Sequence, residues 1–176
     1  MLTITTAKQE DIPLLQKLIE ESVRRLSIDY YSPRQIESAL TYVFGIDTQL
    51  IADETYYVVR SDNEIAGCGG WSKRNTLFGG DQTKGLEDPL LDPEKDPARI
   101  RAFFVHPNWA RKGVGTELLT FCEKAAASNG FTSLQLAGTL PGIPFYLRLG
   151  FKEVEHKNIV LGNGELLQLC IMKKQL

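Results

Sequence analysis

Apolar residues return every three to four positions between Gln9 and Leu26, at Ile12, Leu15, Leu18, Ile19, Val23 and Leu26. That period predicts an amphipathic helix, and Pro13 falls in its first turn, where a missing N–H does little harm. A second helix is predicted to start at Ser32-Pro33-Arg34-Gln35, a capping box with proline at the first helical position. Ile36, Leu40 and Val43 form its inward stripe and Gly45 ends it. Short alternating or continuous apolar runs predict strands at 3–5, 56–60, 65–71, 99–105, 131–137, 152–161 and 165–172. A third long helix opens at Gly113 with Val114, Leu118, Cys122, Ala125 and Ala126 inward, and Asn129-Gly130 stops it. A short helix carries Phe145 to Leu149. The order β-α-α-β-β-β-α-β-α-β-β predicts an α/β layer fold: one domain over residues 1–176, with a mixed central sheet of about seven strands flanked by helices.

Three stretches escape this periodicity. Tyr30 and Tyr31, between the first two helices, read either as the lip of a substrate mouth or as cover for a core edge. Gly67, Gly69 and Gly70 make one strand rich in glycine, which marks a ligand cleft or crowding by Trp71. Residues 74–97 carry six acids against Lys84 and Lys95 and are stiffened by Pro89, Pro93 and Pro97. A segment this long serves either as a solvated loop or as a lure for a cationic amine.

Composition narrows the partners. A formal charge of −2 over 176 residues gives no reason to expect nucleic acid. Cys68, Cys122 and Cys170 are odd in number and far apart, matching neither a disulfide framework nor a zinc spacing, so packing is their expected role and no metal is expected. No basic leader precedes an apolar run and no stretch reaches membrane-spanning length, so no membrane partner and a cytoplasmic location are expected.

The densest chemistry lies between Ala102 and Leu119, A-F-F-V-H-P-N-W-A-R-K-G-V-G-T-E-L-L. An apolar strand leads through a turn with Arg111, Lys112, Gly113 and Gly115 into a helix. A helix N-terminus offers about half a positive charge and unpaired amide donors, which suits phosphate. Glycines there would admit a ligand close to the backbone. The bland reading is a helix start with glycines for tight packing. A Walker loop needs Ser or Thr directly after a Lys that follows glycine, and a dinucleotide fingerprint needs a third glycine at Leu118; neither fits.

Val105-His106-Pro107 followed by Gly113-Val114-Gly115 resembles the acyl-CoA pyrophosphate loop of the GNAT superfamily of N-acetyltransferases. Tyr146-Leu147-Arg148-Leu149-Gly150-Phe151 is similar to that family's second signature, Tyr-x-x-x-Gly-Phe, in the expected order. Two family positions depart: Ala110 stands for Gln or Arg, and Thr139 for the usual Asn. The resemblance implies a GNAT-like sheet splayed at the acyl-CoA site, acetyl-CoA as cosubstrate, and a small-molecule or peptidyl amine as acceptor. It is compatible with a homodimer. It further implies that Phe103, Phe104 and Val105 hold the pantetheine arm through their main chain. Arg111, Lys112, Gly113, Val114, Gly115 and Thr116 would hold the pyrophosphate, Thr139 would touch the cofactor, and Tyr146 would stand at the thioester sulfur as general acid.

Such chemistry sets energetic demands. A lysine-like amine is only about 0.1% neutral near pH ~7.4, a penalty of roughly 4 kcal/mol. Protonation of a leaving thiolate by a tyrosine of ordinary acidity is uphill by about 2 kcal/mol. The strand 99–105 lacks the carboxylate many family members use as base, leaving His106, an acid of the 74–97 segment or a water relay. A non-catalytic acyl-CoA sensor on the same fold is the rival reading, and a nucleotide-phosphate module a more distant one.

Overall fold

The computed structural model describes residues 1–176. Seven strands form one sheet: β1 (Leu2–Thr6), β2 (Tyr56–Ser61), β3 (Glu64–Ser72), β4 (Ala98–Val105), β5 (Ser133–Thr139), β6 (Lys152–Val160) and β7 (Leu166–Gln175). Their order across the sheet is β1-β2-β3-β4-β5-β7-β6, antiparallel throughout except for β4 and β5, which run parallel. This is the mixed sheet expected from the sequence. The helices are α1 (Ile12–Leu26), α2 (Pro33–Tyr42), α3 (Thr48–Ala52), α4 (Val114–Ser128) and α5 (Ile143–Arg148).

The expected capping box forms. The Gln35 amide donates to Ser32 Oγ at 3.1 Å, and the Ser32 amide donates to Gln35 Oε1 at 2.8 Å. Two of the helix's orphan donors are thereby satisfied at its start. Helix α2 stops at Tyr42, before Gly45. Helix α3 was not anticipated, because five residues are too few to show a period. It starts because the Asp47 side chain accepts from the Gln49 amide at 2.9 Å.

Each sheet face carries its own core. Leu15, Ile19, Val23, Ile36 and Ala39 of α1 and α2 pack on Tyr56, Val58 and Cys68. Leu118, Cys122 and Ala126 of α4, with Tyr146 and Phe151, pack on Val59, Leu134 and Leu136. Successive residues of β2 thus go to opposite cores, which is why it reads as a continuous apolar run rather than an alternation. All three cysteines are buried and unpaired.

One interruption matters most. β4 and β5 are paired only at Ala98 with Leu134 and at Arg99 with Gln135. Beyond Arg99 the strands part, and the edge of β4 that faces β5 has no strand partner as far as Val105. A second irregularity lies inside β4. Three steps from Arg101 to Phe104 face two steps from Gly70 to Cys68, and Ala102 adopts φ +52°. This is a β-bulge, which re-aims the side chains that follow it.

Candidate active site

The strand after the bulge sends Phe103 and Val105 toward the α4 core, and Phe104 toward the α1–α2 core. Room for these rings comes from β3. A Cβ on Gly69 would lie 2.5 Å from the Phe103 ring, and one on Gly67 would lie 2.9 Å from Val114 Cγ1. The glycine-rich strand therefore accommodates Phe103 and the first residue of α4, where the sequence left a ligand cleft and crowding by Trp71 both open.

After Pro107–Trp109 the chain turns into α4. Arg111 takes φ +64° and Gly113 takes φ +86°, the latter as the residue capping the helix. Two left-handed residues flanking Lys112 point successive amides the same way, which makes an anion-binding concavity. No carbonyl of the chain accepts from the amides of residues 111–116; the first pairing is Glu117 N–H to Gly113 O at 3.0 Å. Arg111 and Lys112 are exposed, and the Lys112 ammonium lies 5.2 Å from the Trp109 ring centre. A Cβ on Gly113 would meet nothing within 4 Å, so this glycine is required by its backbone angle.

Gly115 is different. A Cβ there would lie 3.0 Å from Phe145 Cζ, so the space it leaves is filled by the α5 ring. Each glycine thus has a local reason of its own, the backbone angle at Gly113 and the Phe145 ring at Gly115, beside the ligand access expected of both. Phe145 in turn meets Tyr146 edge-on at 5.0 Å, and Tyr146 meets Phe151 at 5.5 Å. A Cβ on Gly142 would stand 3.2 Å from both Thr139 Oγ1 and Tyr146 Cε2. Through these contacts the β4 end, the α4 start, Thr139 and Tyr146 gather around the mouth of the splay. Burial pushes the pKa of the Tyr146 hydroxyl well above its ordinary value, with a smaller push from Cys122, so it stays protonated.

The opposite face of β4 is built from charges. Arg101 and Asp47 have side chains 1% exposed and are joined at 3.0 Å. Arg101 also donates to the carbonyls of Thr76 (3.2 Å) and Gly79 (2.6 Å), while its Nε is buried without a partner. Lys84 reaches Asp47 as well, and Arg74 grips Asp53 at 2.7 Å, holding the Asp53 carboxyl below the usual carboxylate range. Residues 74–97 are therefore pinned to the sheet. Their acids serve the chain itself: Asp88 accepts from the Thr76 amide at 2.8 Å, Asp81 from the Thr48 amide at 2.9 Å, and Asp92 from the Glu94 amide at 3.0 Å.

Between α1, α2 and residues 44–48 lies a cleft of about 460 Å³. Its wall includes Gln16, Glu20, Arg24, Glu37, Phe44 and Asp81, and Phe44 meets Phe104 edge-on at 6.1 Å. Arg24 bonds both Glu20 (3.1 Å) and Glu37 (2.8 Å). Sequence reasoning missed these residues, since α1 and α2 read simply as amphipathic helices with solvated outer faces.

Two expectations about side chains are decided here. Both ring nitrogens of His106 are engaged: Nδ1 accepts from the Asn108 amide at 3.1 Å, so Nε2 carries the proton donated to Glu21 at 3.1 Å. That leaves no free lone pair for a base. Tyr31 covers a core edge, its hydroxyl donating to Gln168 O at 2.6 Å and accepting from the Leu140 amide at 2.9 Å.

Comparison with known proteins places this arrangement. The acetyltransferase (GNAT) family model matches residues 19–151. No curated protein matches the chain. Among solved structures, a GCN5-related N-acetyltransferase from Rhodopseudomonas palustris aligns with TM-score 0.73 at 20% identity, over 99% of this chain and 95% of that one. PaiA N-acetyltransferase from Thermoplasma acidophilum, solved with coenzyme A, aligns with TM-score 0.65 at 17% identity, over 100% and 99%. The yncA protein of Salmonella typhimurium, solved with its cofactor acetyl-CoA, gives TM-score 0.65 at 17% identity, over 100% and 94%.

Proposed function

The chain belongs to the GNAT family of acetyltransferases, and from that premise we propose that it transfers an acetyl group from acetyl-CoA to a primary amine by direct attack. The observation that carries the reading is the run of unpaired amides from Arg111 to Thr116, lying beside the unpaired edge of β4. The diphosphate of the cofactor sits in this concavity, with Arg111 and Lys112 supplying charge and Gly113, Val114, Gly115 and Thr116 supplying donors. The pantetheine arm lies along Phe103, Phe104 and Val105 like an added strand, toward Thr139 and Tyr146.

The amine approaches from the other face, through the cleft lined by Phe44, whose ring meets Phe104. Glu20, Glu37 and Asp81 outnumber Arg24 there, so the field favours a cationic acceptor. The nitrogen lone pair adds to the thioester carbonyl carbon, and a main-chain N–H after the bulge holds the oxyanion. The carbon–sulfur bond then breaks with the electron pair on sulfur, and Tyr146 donates its proton to the departing thiolate. Because burial raises Tyr146, full transfer is harder than the ~2 kcal/mol for an ordinary tyrosine, and its role shades toward a strong hydrogen bond. The amine's own proton leaves through water, since β4 bears no carboxylate and His106 is engaged. No helix is long and apolar enough to cross a membrane. The three unpaired cysteines fit the cytoplasm, which we take as its compartment.

Absence of a carboxylate on β4 also favours a second reading, an acyl-CoA sensor without turnover. Purified protein with acetyl-CoA and a panel of amines separates the two. Free thiol released only when an acceptor is present supports transfer. Tight acetyl-CoA binding with no release across mono-, di- and polyamines supports the sensor.

A further inference from the structure

At the sheet edge, just past the second GNAT signature along the chain, three metal-binding side chains of different chemistry converge. His156 of β6 stands directly opposite Cys170 of β7. Glu153 precedes His156 by three residues, and in a regular strand the two would face opposite sides. A register shift between Glu153 and Glu155 inserts Val154 as an extra residue and brings Glu153 onto the face of His156 and Cys170. Glu153 Oε1 lies 3.3 Å from His156 Nε2 and 3.9 Å from Cys170 Sγ. All three donor atoms fall within 4.8 Å of one another.

We propose that Glu153, His156 and Cys170 bind a divalent ion of the zinc class. Tetrahedral bonds of about 2.0–2.3 Å place donor atoms roughly 3.3–3.8 Å apart, so small side-chain rotations suffice to close the set. Thiolate, imidazole and carboxylate together select a borderline ion over calcium or magnesium, which prefer oxygen alone. Two negative ligands would neutralise the ion. Cys170 is buried and fixed by the β6–β7 ladder, whereas Glu153 and His156 are about half exposed, so water can take the fourth position. Burial and the neighbouring Glu153 raise the Cys170 thiol, an unfavourable environment for a thiolate that a bound cation reverses. The ion would clip β6, the outermost strand, to β7, its one neighbour in the sheet. Spacing along the sequence could not reveal this set, because its members meet only through strand pairing and a bulge.

The test is a titration of the full, chelator-treated chain with Co²⁺, followed optically. The expected result is saturation at one ion per chain, with a thiolate-to-cobalt charge-transfer band in the near ultraviolet, visible bands of tetrahedral intensity, and displacement by Zn²⁺. Cys170→Ser should abolish the near-ultraviolet band, while Cys122→Ser should keep it. His156→Ala and Glu153→Gln, at half-exposed positions that leave the fold intact, should each weaken binding about tenfold or more. No charge-transfer band in the unaltered chain, or a band that survives Cys170→Ser, overturns the proposal. Should Cys170→Ser not fold, unchanged affinity in both surface variants overturns it equally. Because the readout is metal binding, the result is independent of acetyl transfer.

Discussion

The two faces of β4 are made by opposite means. Toward α4, the structure offers main-chain amides, two left-handed residues and apolar rings, with no buried charge. Toward α1 and α2, it relies on ion pairs between residues far apart in sequence: Asp47 with Arg101, Asp53 with Arg74, Glu37 with Arg24. A backbone-built site is indifferent to most side-chain changes and fails only where the main chain itself is disturbed. A side-chain-built one can be rewired position by position. On the proposed reading, the backbone-built face holds the cofactor and the side-chain-built face meets the acceptor, so each has the kind of construction its task requires.

The largest effect should come from the charged face. Asp47→Ala leaves Arg101 buried without its carboxylate and removes the cap of α3, and loss of one buried partner costs about 3–5 kcal/mol. Denaturant unfolding should show that loss while calorimetry finds CoA affinity within about threefold. A collapse of CoA binding in that variant would mean the faces are not separable.

The converse variant is Gly113→Asp, which places a carboxylate at the amide concavity and costs about 1–2 kcal/mol of backbone strain at φ +86°. CoA affinity should fall by about a hundredfold or more, equivalent to roughly 2.7 kcal/mol. Gly113→Asn, with similar strain and no charge, should retain most of it. Equal binding by both variants would show that charge at this point is irrelevant and remove the concavity from the mechanism.

Smaller again, Tyr146→Phe should lower kcat by about ten- to a hundredfold with little change in KM for acetyl-CoA. Because the Tyr146 hydroxyl is raised, activity of the unaltered enzyme should show no loss from its ionisation up to about pH 10. An alkaline limb near pH ~9 assigned to this tyrosine would contradict its burial.

The mildest expectation concerns the core under α1 and α2 alone. Cys68, raised from 9.0 to about 12, and Tyr31, raised from 10.0 to about 12, hold their protons more tightly folded than unfolded. Their contribution is complete below about pH 9 and shrinks as pH climbs toward 12, by about 1.4 kcal/mol per unit for each group inside its window. Unfolding measured at about pH 8 and about pH 10 should differ by about 1 kcal/mol or more, in that direction. Constant stability over this range would show that these groups are not sealed from water.

The same contrast explains what could be read from the sequence. Strands, helices, the Ser32 cap and the turn at Gly113 follow from neighbours in the chain, where glycine, proline and apolar spacing report local backbone needs. The cleft does not: Glu20, Glu37, Phe44 and Asp81 become one wall only after α1, α2 and the 74–97 segment are packed. Helix α3 was too short to carry a period. The bulge at Ala102 left no mark either, since alanine is an unremarkable residue and its left-handed angle is held by surroundings such as the Tyr56 hydroxyl, which donates to its carbonyl at 2.9 Å. The packing of Gly115 could not be read because its partner, Phe145, lies thirty positions downstream.

That last pairing has a consequence for lineage and for engineering. With the Phe145 ring seated in the hollow at Gly115, a bulkier residue there would tilt α5 and drag the tyrosine with it before disturbing any cofactor. The two segments are thus interlocked components with one shared tolerance, and they should drift or be transplanted as a set. A chimera that takes α4 from one parent and α5 from another inherits mismatched parts, however faithful each signature looks alone.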